Sequence, residues 1–218
     1  MTKKILFVVT NFSDINEDIK TGVNLEEFSV PYLVFEAAGY KITVASPCGG
    51  KSPISEDSLS CSNPMEWDEP AKLLKNTVNI KDIDYKSFDC IYIAGGHGAM
   101  FDLAKCEKLK EIVEYFYNEK KIIGAICHGV AGLLLAKDNN GNSILKNKHV
   151  TSITNKEEEI LKMKEFMPFL LQSKIVDLGA DFVEEKPWSE HVEICGNIIT
   201  GQNNKSTLLL AESIISLL

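Results

Sequence analysis

Four short segments, Ile5–Val9, Ile42–Ala45, Cys90–Ala94 and Ile122–Ile126, are apolar or nearly so along their whole length and rich in isoleucine and valine. A strand with one wet face alternates apolar and polar residues. A strand without that alternation has to be covered on both faces, as in a parallel sheet layered between helices. The segments between these runs supply the covering. Leu25–Ala38 reads as a helix stopped at Gly39, and Glu107–Glu119 sets Leu109, Ile112, Val113 and Phe116 on one stripe. The order β-α-β-x-β-α-β-α predicts a doubly wound α/β fold, with a ligand site beyond the carboxyl ends of the strands.

Downstream, Lys137–Asn142 is turn-like, and a strand is expected near His149–Ile153. Helical patterns follow at Glu157–Met163 and Pro168–Leu178. Asp181–Glu184 and His191–Cys195 read as a pair of strands, and Gly196-Asn197 as a hairpin into Ile198–Thr200. Thr207–Leu217 closes the chain as a helix, and Pro47–Pro64, rich in Ser, Gly and Pro, reads as a surface excursion. No linker interrupts the 218 residues, so residues 1–218 are expected to form a single domain.

The net charge of −8 argues against nucleic acid as a partner, because phosphate neutralisation needs a basic stripe. All 23 basic residues are lysines. Without arginine there is no planar fork for a phosphate or carboxylate, and a small, weakly charged substrate fits better. No apolar run approaches the roughly 20 residues that cross a bilayer, and Ile5–Val9 is too short for a secretory signal. Cys48, Cys61, Cys90, Cys106, Cys127 and Cys195 are scattered, without a C-x-x-C pair, as expected of free thiols in a cytoplasmic protein. No H-E-x-x-H or C-x-x-C spacing is present, so no metal is expected.

The strongest local signal is Ile122-Ile-Gly-Ala-Ile-Cys127-His128-Gly129-Val-Ala-Gly132, where a buried strand runs into a helical pattern and the cysteine falls at the junction. A cysteine there is either a buried structural thiol or a nucleophile. Its small neighbours and adjacent His128 favour the second, with amides of the turn aimed at the sulfur and lowering its pKa. A second junction, Ala94-Gly95-Gly96-His97-Gly98, brings glycines just past another buried strand. There the amides of Gly96 and His128 would form an oxyanion hole, or the glycines would simply make a tight turn.

These two turns, together with Thr154-Asn155-Lys156-Glu157-Glu158, Lys20 to Pro31, Pro187-Trp188 and Ile199 to Asn203, resemble the ThiJ/PfpI superfamily of class I glutamine amidotransferase-like proteins. The resemblance is narrower to its glyoxalase III and stress-chaperone branch, and it spans nearly the whole chain. It implies a flavodoxin-like three-layer α/β/α sandwich with a mostly parallel central sheet. It implies Cys127 as nucleophile, Glu27 as its protonated partner and general acid/base, His128 as neighbouring base, and Glu158 as the carboxylate orienting His128. Gly95, Gly96, His97 and Trp188 would bind the substrate or its oxyanion. Glu26 competes with Glu27, and Glu157 and Glu159 with Glu158, since residue type alone does not separate neighbours on a helix. The chain departs from the branch at Val130, where proline is common, and at Asn203-Asn204, where Asn-Pro is common.

The activity implied is glutathione-independent conversion of methylglyoxal to D-lactate, a lyase reaction of the D-lactate dehydratase kind, through a hemithioacetal on Cys127 and with no cofactor. A deglycase or chaperone role in carbonyl stress attaches to the same branch. The partners implied are a small dicarbonyl and, as an open state of assembly, a second copy in a homodimer, with no nucleic acid and no membrane. Two other readings stand beside it. Cys127, His128 and Glu158 also compose a peptidase or amidohydrolase set, and Cys127 alone would serve a redox sensor or chaperone.

Overall fold

The computed structural model describes residues 2–59 and 63–218, so Cys61 lies outside the described residues. The strands are β1 (Lys4–Val8), β2 (Lys41–Ser46), β3 (Val78–Asn79), β4 (Cys90–Ile93), β5 (Ile122–Ile126), β6 (His149–Val150), β7 (Asp181–Phe182), β8 (Val192–Cys195) and β9 (Ile198–Gly201). The helices are α1 (Leu25–Ala37), α2 (Asp68–Leu73), α3 (Glu107–Asn118), α4 (Asn155–Ile160), α5 (Leu171–Asp177) and α6 (Thr207–Leu217). Seven strands form one sheet in the order β3-β2-β1-β4-β5-β9-β8, parallel throughout except for the β8–β9 hairpin. The flavodoxin-like expectation holds.

The four apolar runs form the centre of this sheet, and β4 and β5 are buried at every residue. Alternate side chains serve opposite layers. Tyr92 meets Phe7 and, from α1, Phe35, while a Cβ on Gly124 would come within 2.5 Å of Ile214 in α6. Glycine at 124 therefore lets α6 lie close on the sheet. On the other face Ile93 packs with Leu109 of α3 around Gly132, where a Cβ would lie 2.9 Å from Leu109. The predicted stripe of α3 (Leu109, Ile112, Val113, Phe116) is buried throughout.

Two expectations need correction, and one stretch without an expectation is filled. Asp181–Phe182 does not pair with Val192–Cys195; it pairs in parallel with His149–Val150 in a separate two-stranded sheet, because α5 intervenes as a crossover. The chain after Cys127 forms 3-10 turns over Cys127–Leu133 rather than an α-helix. Gly129 and Gly132 disfavour the α-helix and press this segment onto the sheet, a Cβ on Gly129 lying 2.5 Å from the Ile93 carbonyl. Finally, α2 and the two-residue β3 occupy the stretch that carried no sequence signal.

Candidate active site

Parallel strands end on one side of the sheet, and the chain crosses there three times close together: after β4, after β5 and at the start of α1. Cys127 follows β5 directly and adopts φ 54°, a left-handed conformation that costs a non-glycine residue about 1–3 kcal/mol. Its neighbour across the turn is Gly95. A Cβ there would fall 2.2 Å from Glu27 Oε2, 2.8 Å from the Ile126 carbonyl and 3.0 Å from Cys127 Cβ, so the site closes only around glycine. Gly96 takes φ 102° and packs against the Gly22 carbonyl.

Glu27 reaches the sulfur because α1 starts at this end. Asn24 caps the helix, accepting hydrogen bonds from the amides of Glu26 and Glu27. One turn on, Pro31 has no N–H to offer the carbonyl four residues before it, which is that of Glu27. The buried Tyr92 hydroxyl donates to this carbonyl instead, at 2.6 Å. Pro31 and Tyr92 together tie the backbone of Glu27 to β4. Glu26, by contrast, accepts a hydrogen bond from Asn204 Nδ2 at 2.6 Å, joining α1 to the turn before α6. The competition between the two glutamates is resolved by burial: Glu27 is fully buried against Cys127.

The Cys127 sulfur lies 3.4 Å from His128 Nδ1, and His128 Nε2 makes a short hydrogen bond with Glu158 Oε1. His97 stacks beside His128 with ring centroids 4.1 Å apart and brings Nε2 to 3.4 Å from the same oxygen. Glu158 is held by α4, whose start is a capping box between Thr154 and Glu157. Glu157 accepts further hydrogen bonds from the Trp188 amide at 2.9 Å, Gln202 Nε2 at 3.1 Å and Asn203 Nδ2 at 2.8 Å. Trp188, itself at φ 64°, is thereby placed on the rim of a cavity of about 170 Å³ that also touches Glu27, Gly96, His97, Cys127 and His128. His149 and His191 lie elsewhere, paired with Asp181 and Glu193.

Burial pushes the Glu27 carboxyl up to about 8, so it is protonated at neutral pH. Neither of its oxygens makes a hydrogen bond of ordinary geometry, which a neutral acid tolerates and a carboxylate does not. The sequence-level expectation that the turn lowers the Cys127 pKa is corrected. Burial and the Glu27 and Glu157 carboxyls push the thiol well up, and the His128 amide opposes them only in part. Protonation of Glu27 removes its charge from beside the sulfur, leaving burial as the main barrier to ionisation. Burial, and then neighbouring His97, also holds His128 down, so it is neutral and free to accept a proton. Burial works against the Glu158 carboxylate, yet His128 and His97 outweigh it and hold Glu158 far below the usual range. The Cys127 thiol is therefore not ionised at rest, and any reaction at its sulfur needs a base to take the proton.

Of the site residues expected from the sequence, Glu27, Gly96, His97, Cys127, His128 and Trp188 line this cavity, and Gly95 and Glu158 lie behind it against Glu27 and His128. Asn24 and Asp57 at the cavity and Tyr92 behind it carry no signal of their own in the sequence, and Asn204 stands out there only as a departure from the branch. The proline inside α1 is the signal that marked the free Glu27 carbonyl. No lysine lines the cavity among the described residues, in keeping with a weakly charged ligand.

The profile of the DJ-1/PfpI family matches residues 19–217. The chain is 30% identical to the glutathione-independent glyoxalase hsp3101 of Schizosaccharomyces pombe, over 97% of this chain and 94% of that protein. The crystal structure of glyoxalase III from Candida albicans superposes with a TM-score of 0.91 at 28% identity, covering 98% of this chain and 96% of that one. The Rapid Encystment Protein of 24 kDa from Francisella tularensis superposes with a TM-score of 0.94 at 33% identity, covering 99% and 98%.

Proposed function

The chain belongs to the DJ-1/PfpI family, and we propose that it is a glutathione-independent glyoxalase whose thiol is Cys127, converting methylglyoxal to D-lactate. The observation that carries this reading is Glu27. A carboxyl with a value of about 8, buried against the nucleophile, is an acid that can give a proton and take it back within one turnover. A plain hydrolase has no need of it.

In the proposed sequence His128 Nδ1 takes the thiol proton, and the sulfur adds to the aldehyde carbon of methylglyoxal. The amides of Gly96 and His128 would stabilise the oxygen that becomes negative, and Glu27 protonates it to give the hemithioacetal. Glu27, now a carboxylate, removes the hydrogen from that carbon and returns it to the neighbouring carbonyl carbon. The hydroxyl proton passes from the first oxygen to the second, leaving a lactoyl thioester on Cys127. Water hydrolyses the thioester, its hydroxyl joining the acyl carbon and its remaining proton restoring the Glu27 carboxyl; the sulfur recovers its proton from His128, and lactic acid leaves. The sum is methylglyoxal plus water giving lactic acid. Glu158 keeps its partner's proton on Nε2, so that Nδ1 stays available to the sulfur. Trp188 and His97 bound the space for the two small carbonyls. No cofactor enters these steps. Among the described residues no helix is long and apolar enough to cross a membrane; independently of that, the scattered cysteines and a small dicarbonyl substrate formed during metabolism support a cytoplasmic setting for the proposed activity.

Incubation with methylglyoxal in the absence of glutathione, followed by enantiomer-specific assay of lactate, tests this. D-lactate from the wild type and none from a folded Cys127→Ala is the expected result. Turnover by Cys127→Ala, or release of amines from amide substrates without lactate, would sink it in favour of another chemistry.

A further inference from the structure

His97 is 6% exposed and its Nε2 has no hydrogen-bond partner; Glu158, 2% exposed, has none for Oε2. Two buried polar atoms are thus unfulfilled on neighbouring side chains, His97 lining the cavity and Glu158 lying behind it against both histidines. We infer that His97, His128 and Glu158 form a two-histidine, one-carboxylate site for a late first-row divalent cation, zinc foremost. The three side chains offer ligand atoms that all lie within 4.8 Å of one another. Around a tetrahedral ion with bonds of about 2.0–2.1 Å, ligand atoms sit roughly 3.3–3.4 Å apart. His97 Nε2 and Glu158 Oε1 are already 3.4 Å apart. His128 has to draw back from its short contact with Glu158, whose second oxygen is free to follow.

Charge favours the same occupant. The described residues around the cavity include the carboxyl group of Asp57 as well as the histidines, and no lysine, while Glu27 is neutral. Glu158 has no salt-bridge partner among the described residues other than the two histidines. Two imidazoles and one carboxylate suit zinc and its late first-row neighbours, and three protein ligands leave a position open toward the cavity. The linear patterns that mark metal sites in a sequence are absent because the three ligands come from three places: the turn after β4, the turn after β5, and α4.

Occupancy would change what His128 can do. The cation takes the Nε2 lone pair, so the single proton of the neutral ring relocates from Nε2 to Nδ1, with no net gain or loss. Nδ1 then faces the Cys127 sulfur as a donor and cannot accept the thiol proton. The cation is therefore a reversible inhibitor of the activity proposed above. Inhibition rests on that proposal, whereas binding does not.

The test is titration of chelator-stripped full-length protein with cobalt chloride, read by absorption, with zinc sulfate as competitor. One equivalent of cobalt should give weak visible bands from nitrogen and oxygen ligands and no near-ultraviolet thiolate band, unchanged in Cys127→Ser. His97→Gln should weaken binding by more than the roughly 10–100-fold that loss of an outer-shell partner costs. A thiolate band in the one-equivalent complex, or undiminished affinity in a folded His97→Gln, overturns the site. If His97→Gln fails to fold, the wild-type spectrum still decides between the two ligand sets. Zinc should abolish lactate formation, and chelator should restore it. Zinc bound as described with turnover intact would overturn the inhibitory role and count against His128 as the base.

Discussion

Replacing Glu27 by glutamine keeps the shape of the side chain and removes its proton chemistry, so two independent quantities should move. The first is stability. The carboxyl titrates at about 8 in the folded protein against an ordinary 4.5, so the fold binds this proton more tightly than the unfolded chain does. That contribution is present in full below pH 4.5 and is lost as the pH rises toward 8. Across pH 5 to 7 the wild type should lose ~2–3 kcal/mol from this group alone, which Glu27→Gln does not titrate away. Urea denaturation of both proteins at pH 5, 6 and 7 measures the difference. The curves should converge toward low pH and diverge toward neutral, with the wild type falling relative to the variant. The second quantity is turnover. Lactate formation should fall by a factor on the order of 10² or more, as expected for a lost general acid–base. Parallel stability profiles would mean that Glu27 is ionised in the fold, and full turnover would remove it from the chemistry.

Two further substitutions separate positioning from chemistry. Tyr92→Phe leaves the Glu27 carbonyl buried without a donor and should cost about 1–3 kcal/mol in thermal or urea denaturation, with a loss of turnover in proportion to the freedom Glu27 gains. Glu26→Gln weakens the bond to Asn204 and should lower stability by about 1 kcal/mol while lactate formation stays within roughly threefold, because this side chain does not touch the sulfur. Equal losses of turnover in Glu26→Gln and Glu27→Gln would assign both to the integrity of α1.

The centre of the fold was legible because its signals are local and redundant. Four unbroken apolar runs and two helical stripes fix a parallel sheet and its layers whatever the loops do, and Gly196-Asn197 announces the one antiparallel hairpin. Elements of two residues are not legible this way. Val78–Asn79 carries no period, and His149–Val150 could be matched to its partner only by knowing that α5 crosses over between them. The site divides similarly. Cys127 stands out because a strand, a turn and small residues coincide within seven positions, but its electrostatics do not follow from the turn. The thiol sits among carboxyl groups delivered from α1 and α4, thirty residues or more away in either direction along the chain. The burial that raises its pKa is a property of the packed molecule.

The same limit explains why adjacent glutamates could not be told apart, and the structure shows what does tell them apart: how many carboxyl oxygens the protein itself occupies. Glu157 gives both oxygens to donors from Thr154, Trp188, Gln202 and Asn203, so it shapes the cavity and has nothing left for a substrate. Glu159 is exposed and bound to no role here. Glu158 commits Oε1 to the histidines and leaves Oε2 unpartnered, which suits a residue that orients His128 and can still take a cation. Glu27 commits neither oxygen, and burial then keeps it protonated, which suits a residue that must give and recover a proton. Without a lysine or arginine lining the cavity among the described residues, each carboxyl meets burial by a different route: donors, imidazoles or a proton. In the proposed reading those three routes correspond to three roles on one short arc of the sheet's edge. Swapping the donors of Glu157 for apolar groups would therefore be expected to displace Trp188 before it altered the chemistry at Cys127.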